Sequence, residues 1–313
     1  MKRINLLLLA LMALLLLSCD GNPAQNQDGY GYLNDYGYPL VHVPYEKLFK
    51  NRERLFNTNN DTPQDEDGVL LFQYAGGLYY HPVNLSFKSL EALNDYYITN
   101  DQVYIQHAIK TMEALRREAT RIGDKIYFPY KFNFSEGTMV YYTAPWYSGM
   151  AQGTALSAYC RLYHFTQEPL YKAVADSILN TMTDFSGSIK PVLISDQNSL
   201  LKSANYYWVD EYPHHIKRYV LNGGIIGAMG LYDHWWVFGD DHSRRWFSRM
   251  MTSVKDNVLL YRNPGGPSAY DLKYRAPNTT YHEVHQHLLR SCTAMTNDDF
   301  FAAIADLFYA DYH

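Results

Sequence analysis

Apolar positions along the chain recur at helical spacing in paired stretches, and a short polar turn divides each pair. In residues 151–182, Leu156, Tyr159, Leu162 and Tyr163 hold one helical face ahead of the turn Thr166-Gln167-Glu168. The same unit of helix, polar turn and second helix recurs around Thr99-Asn100-Asp101, Gly239-Asp240-Asp241 and Thr296-Asn297-Asp298. These turns lie about 57 to 73 residues apart, a spacing too irregular for a tight solenoid. The expected fold is mainly α, an incomplete (α/α) toroid of helical hairpins. Residues 125–134 and 261–274 are aromatic and carry Gly or Pro, which predicts short β-hairpins and loops at the cleft. An amphipathic piece is expected within residues 41–56 and a polar loop at 57–68, so the compact domain is expected at 69–313.

The first residues follow a different pattern. Lys2 and Arg3 precede an apolar run at 6–17 that ends in Ser18 and Cys19. A membrane-spanning helix needs about 20 apolar residues, and this run is shorter, as in a secretory leader. Residues 1–18 are therefore expected to be a signal peptide, and the Leu-Leu-Ser-Cys ending resembles a lipoprotein cleavage site that makes Cys19 the lipid-bearing residue. Residues 19–68 then serve as tether and N-terminal extension, and the protein works in the bacterial cell envelope, facing the periplasm or the cell surface. Its only membrane contact is the lipid anchor. The other cysteines, Cys160 and Cys292, either pair or stay buried as small hydrophobes.

Composition narrows the partners. A formal charge of −5 argues against a nucleic-acid binder, and it becomes more negative once Lys2 and Arg3 leave with the leader. The 30 tyrosines offer apolar faces with polar tips, which suit stacking on sugar rings.

Four segments carry the chemistry. The first is Pro145-Trp146-Tyr147-Ser148-Gly149-Met150-Ala151-Gln152-Gly153. The second is Trp208-Val209-Asp210-Glu211-Tyr212-Pro213, followed by Tyr219-Val220-Leu221-Asn222-Gly223 and Gly230-Leu231-Tyr232-Asp233. The third is Tyr270-Asp271-Leu272, and the fourth is Tyr281-His282 with His285. Together and in this order they resemble the C-terminal domain of D-glucuronyl C5-epimerases, which invert carbon 5 of uronates within a polysaccharide. The resemblance implies Glu211, Tyr270 and Tyr281 as the acid/base centre, with Tyr212 and Asn222 beside the sugar. Trp146, Gln152 and His282, which lie in these motifs, and Lys273 and Arg275, which lie near Tyr270 in sequence, are further candidate substrate contacts. The resemblance further implies an anionic, uronate-containing polysaccharide as partner, a homodimer, and no cofactor or metal. Two positions depart from the pattern of animal members. Lys273 replaces an Arg and so loses the planar fork that grips a carboxylate, and Asp210 replaces a Glu.

The reaction explains those residue types. Inversion removes a proton beside a carboxylate and returns one to the opposite face, so two protonic groups must flank the ring. Charge gathers on the carboxylate as the proton leaves, which calls for local donors or cations. Lys273, Arg275, Lys217 and Arg218 are the sequence candidates. His282, His285 and His287 have spacing that a metal site could use, but no further ligand is specified and a structural role is expected. Asn222-Gly223-Gly224 lacks the lysine of a phosphate loop. Three alternatives remain open at this point: a uronate lyase, a glycoside hydrolase, which would need a second carboxylate, and a non-catalytic glycan binder.

Overall fold

The computed structural model describes residues 29–51, 62–136 and 140–313. The leader and Cys19 lie outside the described residues. The chain divides into two compact units, Met1–Leu33 and Asn34–His313. In the first, residues 29–33 form a turn in which the Leu33 N–H donates to the Tyr30 carbonyl.

In the second unit, eight α-helices among the described residues form four hairpins: α1 (Pro82–Thr99) with α2 (Gln102–Arg117), α3 (Gly149–Thr166) with α4 (Pro169–Thr183), α5 (Leu221–Phe238) with α6 (Asp241–Asn257), and α7 (Thr279–Thr296) with α8 (Asp299–Asp311). The turns are built alike. Asn100, Gln167, Gly239 and Asn297 each take a left-handed conformation that closes the first helix. At three of them the next residue caps the second helix, Asp101 accepting from Val103 N–H, Asp240 from Ser243 N–H and Asp298 from Phe300 N–H. All four turns fall where the polar interruptions in the sequence place them.

The first helix of each hairpin packs on the first helix of the next, α1 on α3, α3 on α5 and α5 on α7, with the second helices outside. This is the expected incomplete toroid. Burial follows the same division. α5 is buried around its whole circumference from Leu221 to His234, as a helix apolar on all sides must be. α6 instead buries Trp246, Phe247, Met250 and Val254 while Asp241 stays exposed. Glycine brings α3 and α5 to backbone contact: a Cβ on Gly153 would lie 1.8 Å from the Gly227 carbonyl oxygen, and one on Gly230 would lie 2.2 Å from that of Gly153. The buried pair Arg161–Asp233, 2.9 Å apart, joins the same two helices.

Four antiparallel two-stranded hairpins connect the helices: β1–β2 (Phe72–Tyr74, Gly77–Tyr79), β3–β4 (Thr120–Ile122, Lys125–Tyr127), β5–β6 (Phe134–Glu136, Val140–Tyr142) and β7–β8 (Val192–Ile194, Tyr207–Val209). Among the described residues, the ring stays open between α1 and α7. A cavity of about 1150 Å3 marks the opening, and none of the four sequence motifs contributes its acid/base residues to it.

One expectation changes. Residues 34–51, read from sequence as part of a tether, cross the ends of the helices as a buried strap. Val41 N–H donates to Met295 O, Trp236 Nε1–H donates to Val43 O, and Tyr38, Val43, Tyr45 and Leu48 are buried. Apart from a single 3-10 turn at Tyr45–Lys47, the strap is irregular. Periodicity is blind to a segment whose burial comes only from helix ends distant in sequence. Cys160 and Cys292 are both buried and unpaired. Among the described residues, no helix is long and apolar enough to cross a membrane.

Candidate active site

The strand β8 ends at Val209, and the chain then turns sharply. The Asp210 backbone is pinned on both sides, its N–H donating to Pro191 O and its carbonyl accepting from Gly149 N–H at 2.7 Å. Glu211 is thereby set at the start of α3 and against the first turn of α5. Only glycine at 223 permits this, because a Cβ there would stand 1.9 Å from Glu211 Oε2. Tyr270 arrives on a loop stitched to the same place. Its carbonyl accepts from Leu221 N–H, and its N–H donates to Ala276 O. Tyr281 sits in the first turn of α7, capped by Asn278 Oδ1 at 3.0 Å.

Three separate motifs thus converge. The Tyr270 hydroxyl points at both Glu211 carboxylate oxygens from 3.4 Å, long for a hydrogen bond. Its ring lies 4.6 Å from that of Tyr281. Glu211, Tyr212 and Tyr281 line one cavity of about 270 Å3. The remaining wall is aromatic. Tyr130 stacks on Trp146 at 3.9 Å, and Phe134 stacks toward Tyr212 at 6.1 Å. The cavity also meets the first turn of α1 at Val83 and Asn84 and the start of α3 at Ser148 and Met150. The helices of the inner ring therefore aim their N-termini at this end, where backbone N–H groups favour negative charge.

Burial governs the protonation of the site. It pushes the Glu211 carboxyl up from about 4.5 to about 7, and the hydroxyls of Tyr212 and Tyr270 offset only part of this. Tyr270, Tyr212 and Tyr281 are all held above the ordinary phenol range, by burial first and by the Glu211 charge next. These phenols are thus proton donors at neutral pH, with the carboxyl poised to gain or lose its proton.

The cation beside them is Arg218. It is buried, lies 5.3 Å over the Tyr212 ring and 5.6 Å over the Tyr270 ring, and is paired with Asp271. Lys217 bonds to the buried Asp210 at 3.5 Å. The lysine and arginine favoured by the sequence stand elsewhere. Lys273 is exposed and does not line the cavity, and Arg275 is exposed with its guanidinium donating to the carbonyls of Leu260 and Arg262. The short step from Tyr270 to these residues turns them outward.

Two further sequence candidates have structural tasks. Gln152 is fully buried and saturated, accepting from Phe128 N–H and donating to Ile126 O and Thr181 Oγ1. His282 Nδ1 accepts from Ser268 N–H, and its Nε2 meets the Tyr312 carbonyl. His285 meets Ser268 Oγ, and burial lowers it to about 3, while His287 faces the opening of the ring. Asn222 is buried and does not line the cavity, and its Oδ1 has no partner among the described residues. Trp146 does line the cavity.

The structure adds residues that the motifs did not single out: Phe72, His81, Tyr130, Phe132 and Phe134. A signal exists for three of them, since Tyr130, Phe132 and Phe134 alternate with polar residues as on one face of a strand. Nothing local marks His81. It caps α1, its Nδ1 accepting from Asn84 N–H at 3.2 Å, and burial lowers it to about 4.

A ring of helical hairpins that brings a carboxyl and three phenols together at an aromatic cavity defines an α/α-toroid protein with a candidate acid/base site. Residues 122–310 match the family described as D-glucuronyl C5-epimerase C-terminus, and the chain belongs to that family. A D-glucuronyl C5-epimerase of Caenorhabditis elegans is 28% identical over 182 residues. The match covers 51% of this chain and 28% of the nematode protein, so the chain matches well under half the length of that curated relative. In fold it is similar to the cellobiose 2-epimerase of Bacillus thermoamylovorans B4167, with TM-score 0.51, 13% identity and coverage of 82% of this chain and 65% of the other. A family 88 glycosyl hydrolase from Bacteroides vulgatus gives TM-score 0.49, 15% identity and coverage of 79% and 66%.

Proposed function

We propose that the protein inverts carbon 5 of D-glucuronate residues in a polysaccharide. The observation that carries this reading is the Glu211 carboxyl, pushed up to about 7 in a cavity shared with Tyr281 and backed by Tyr270. An acid/base group works best when its pKa lies near the operating pH, and burial supplies that here. In the proposed reaction, ionised Glu211 takes the carbon 5 proton and Tyr281 returns one to the opposite face. Tyr270, between them, passes the proton that restores each group. The converging helix N-termini stabilise the carboxylate as charge gathers on it. Lipid anchoring through Cys19, an envelope location and a homodimer belong to the same proposal.

Elimination would begin with the same proton removal, but a lyase must then expel the group at carbon 4. The test is incubation with glucuronate polymers in deuterated water, read by proton NMR at carbon 5 and by ultraviolet absorbance. Label without an unsaturated product is expected. Glu211→Gln and Tyr281→Phe should each lower incorporation by about a hundredfold or more. Near-normal label in both variants sinks the mechanism, and an absorbing product replaces epimerisation with elimination.

A further inference from the structure

A second cavity, of about 420 Å3, adjoins the candidate active site and shares Phe72, His81, Asn84 and Phe87 with it. It runs between β1 and α1, and its own walls bring Thr62, Gln73, Lys88 and Glu91. The two together make a groove leading away from Glu211. The first cavity is at or below the lower end of the usual size of a small-molecule site, about 300 Å3, and suits one sugar ring. A polymer that places its reacting ring there must lay a neighbour somewhere along the protein.

The groove favours a neighbour of a particular kind. Among the described residues, the wall of the first cavity contains no lysine or arginine. The second contains Lys88, but its ammonium is 2.9 Å from Glu91 Oε2, and Glu91 lines the same cavity. Lys50, which also approaches Glu91 at 3.9 Å, lies over the Phe87 ring and lines the opening of the ring between α1 and α7. The other polar groups are neutral. Gln73 and Asn84 offer amides, and His81, whose Nδ1 already accepts from the Asn84 backbone and whose pKa burial lowers, is a neutral imidazole that carries its proton on Nε2. Burying a sulfate among such groups leaves its charge uncompensated, whereas hydroxyls and an acetamide find partners.

We infer that the Gln73–Asn84–Lys88 cavity is a second sugar subsite, which takes an uncharged pyranose next to the reacting uronate and so directs the protein to unsulfated polymers. The inference rests on the proposed epimerase reading and deepens it. It makes His81 a hinge between the subsites and Gln73 a determinant of specificity, although neither lies among the acid/base groups.

The test uses the whole protein and two hexasaccharides of alternating glucuronate and hexosamine, one N-acetylated and one N-sulfated. Binding is measured by calorimetry and label at carbon 5 by NMR. The N-acetylated chain is expected to bind about tenfold tighter or better. Gln73→Ala, on an exposed strand, should weaken that binding about three- to tenfold, the effect of one lost hydrogen bond. Gln73→Lys should shift the preference toward the sulfated chain, and thermal melts of both variants should match the parent. Equal or tighter binding of the sulfated chain overturns the inference, as does indifference to both substitutions or failure of the N-acetylated chain to bind. Preference without label would leave the subsite standing and remove the epimerase reading. Label without preference would do the reverse.

Discussion

Burial of Glu211 favours its protonated form, and this has a consequence for stability. Its folded value is about 7 against an ordinary 4.5, so between those values the native state binds more proton than the unfolded chain. Stability from this group is therefore complete below pH 4.5 and is lost as the pH rises to 7, by about 3 kcal/mol in all. Glu211→Gln cannot ionise. The variant is expected to be more stable than the parent at pH 8 and to lose that advantage near pH 4.5, measured by urea denaturation at both. A parent whose stability is level across this window would show that the carboxyl is not held as described. That Glu211, Tyr270 and Tyr281 meet in one place was legible because short motifs fix residue identity in order. Lys273 and Arg275 were misplaced because proximity in sequence says nothing about which way a loop residue faces. His81 was missed because its surroundings, the rings of Phe72, Tyr130 and Phe132, come from two other segments.

At the level of elements, the hairpin turns needed no tertiary information. A left-handed closing residue followed by an acidic cap is a local device, and Asn100-Asp101, Gly239-Asp240 and Asn297-Asp298 state it outright. The close approach of α3 to α5 is another matter, since glycines in a helix read from sequence only as weak points. Here Gly153 faces the Gly227 carbonyl oxygen at a distance no Cβ can share. Gly153→Ala is expected to cost about 3 kcal/mol or more, because the obstacle is backbone and must move with its helix. Gly187→Ala is the control. The nearest atoms to a Cβ there are 3.5 and 3.7 Å away, so its effect should stay within about 0.5 kcal/mol. Thermal or chemical denaturation compares them, and equal effects would refute the backbone contact.

For the whole molecule, the strap at residues 34–51 matters most. It buries Val43, Tyr45 and Leu48 across the helix ends, and Asn51 Oδ1 accepts from the buried Arg161. A chain that begins at Asn34 is expected to unfold in one cooperative transition with the midpoint of the parent. A chain that begins at Val69, the boundary suggested by the pattern of helices, leaves an apolar seam open and a buried guanidinium short of a partner. Each fully buried apolar side chain contributes about 1.5–3 kcal/mol, so this shorter chain should lose most of its stability or aggregate. Matching melts for the two truncations would return the strap to the status of a tether.

The sequence by itself determined the helical hairpins, their turns, the toroid class and the candidates for the acid/base residues, because each depends on neighbours within a turn or two of chain or on a contiguous motif. Tertiary structure alone decided which cation stands behind the tyrosines, that Gln152 and His282 serve the framework, that the aromatic wall closes around Glu211, and that residues 34–51 belong to the core. Those outcomes depend on burial and on facing directions. Both are set by segments far apart in the chain, which meet only when the hairpins close into a ring.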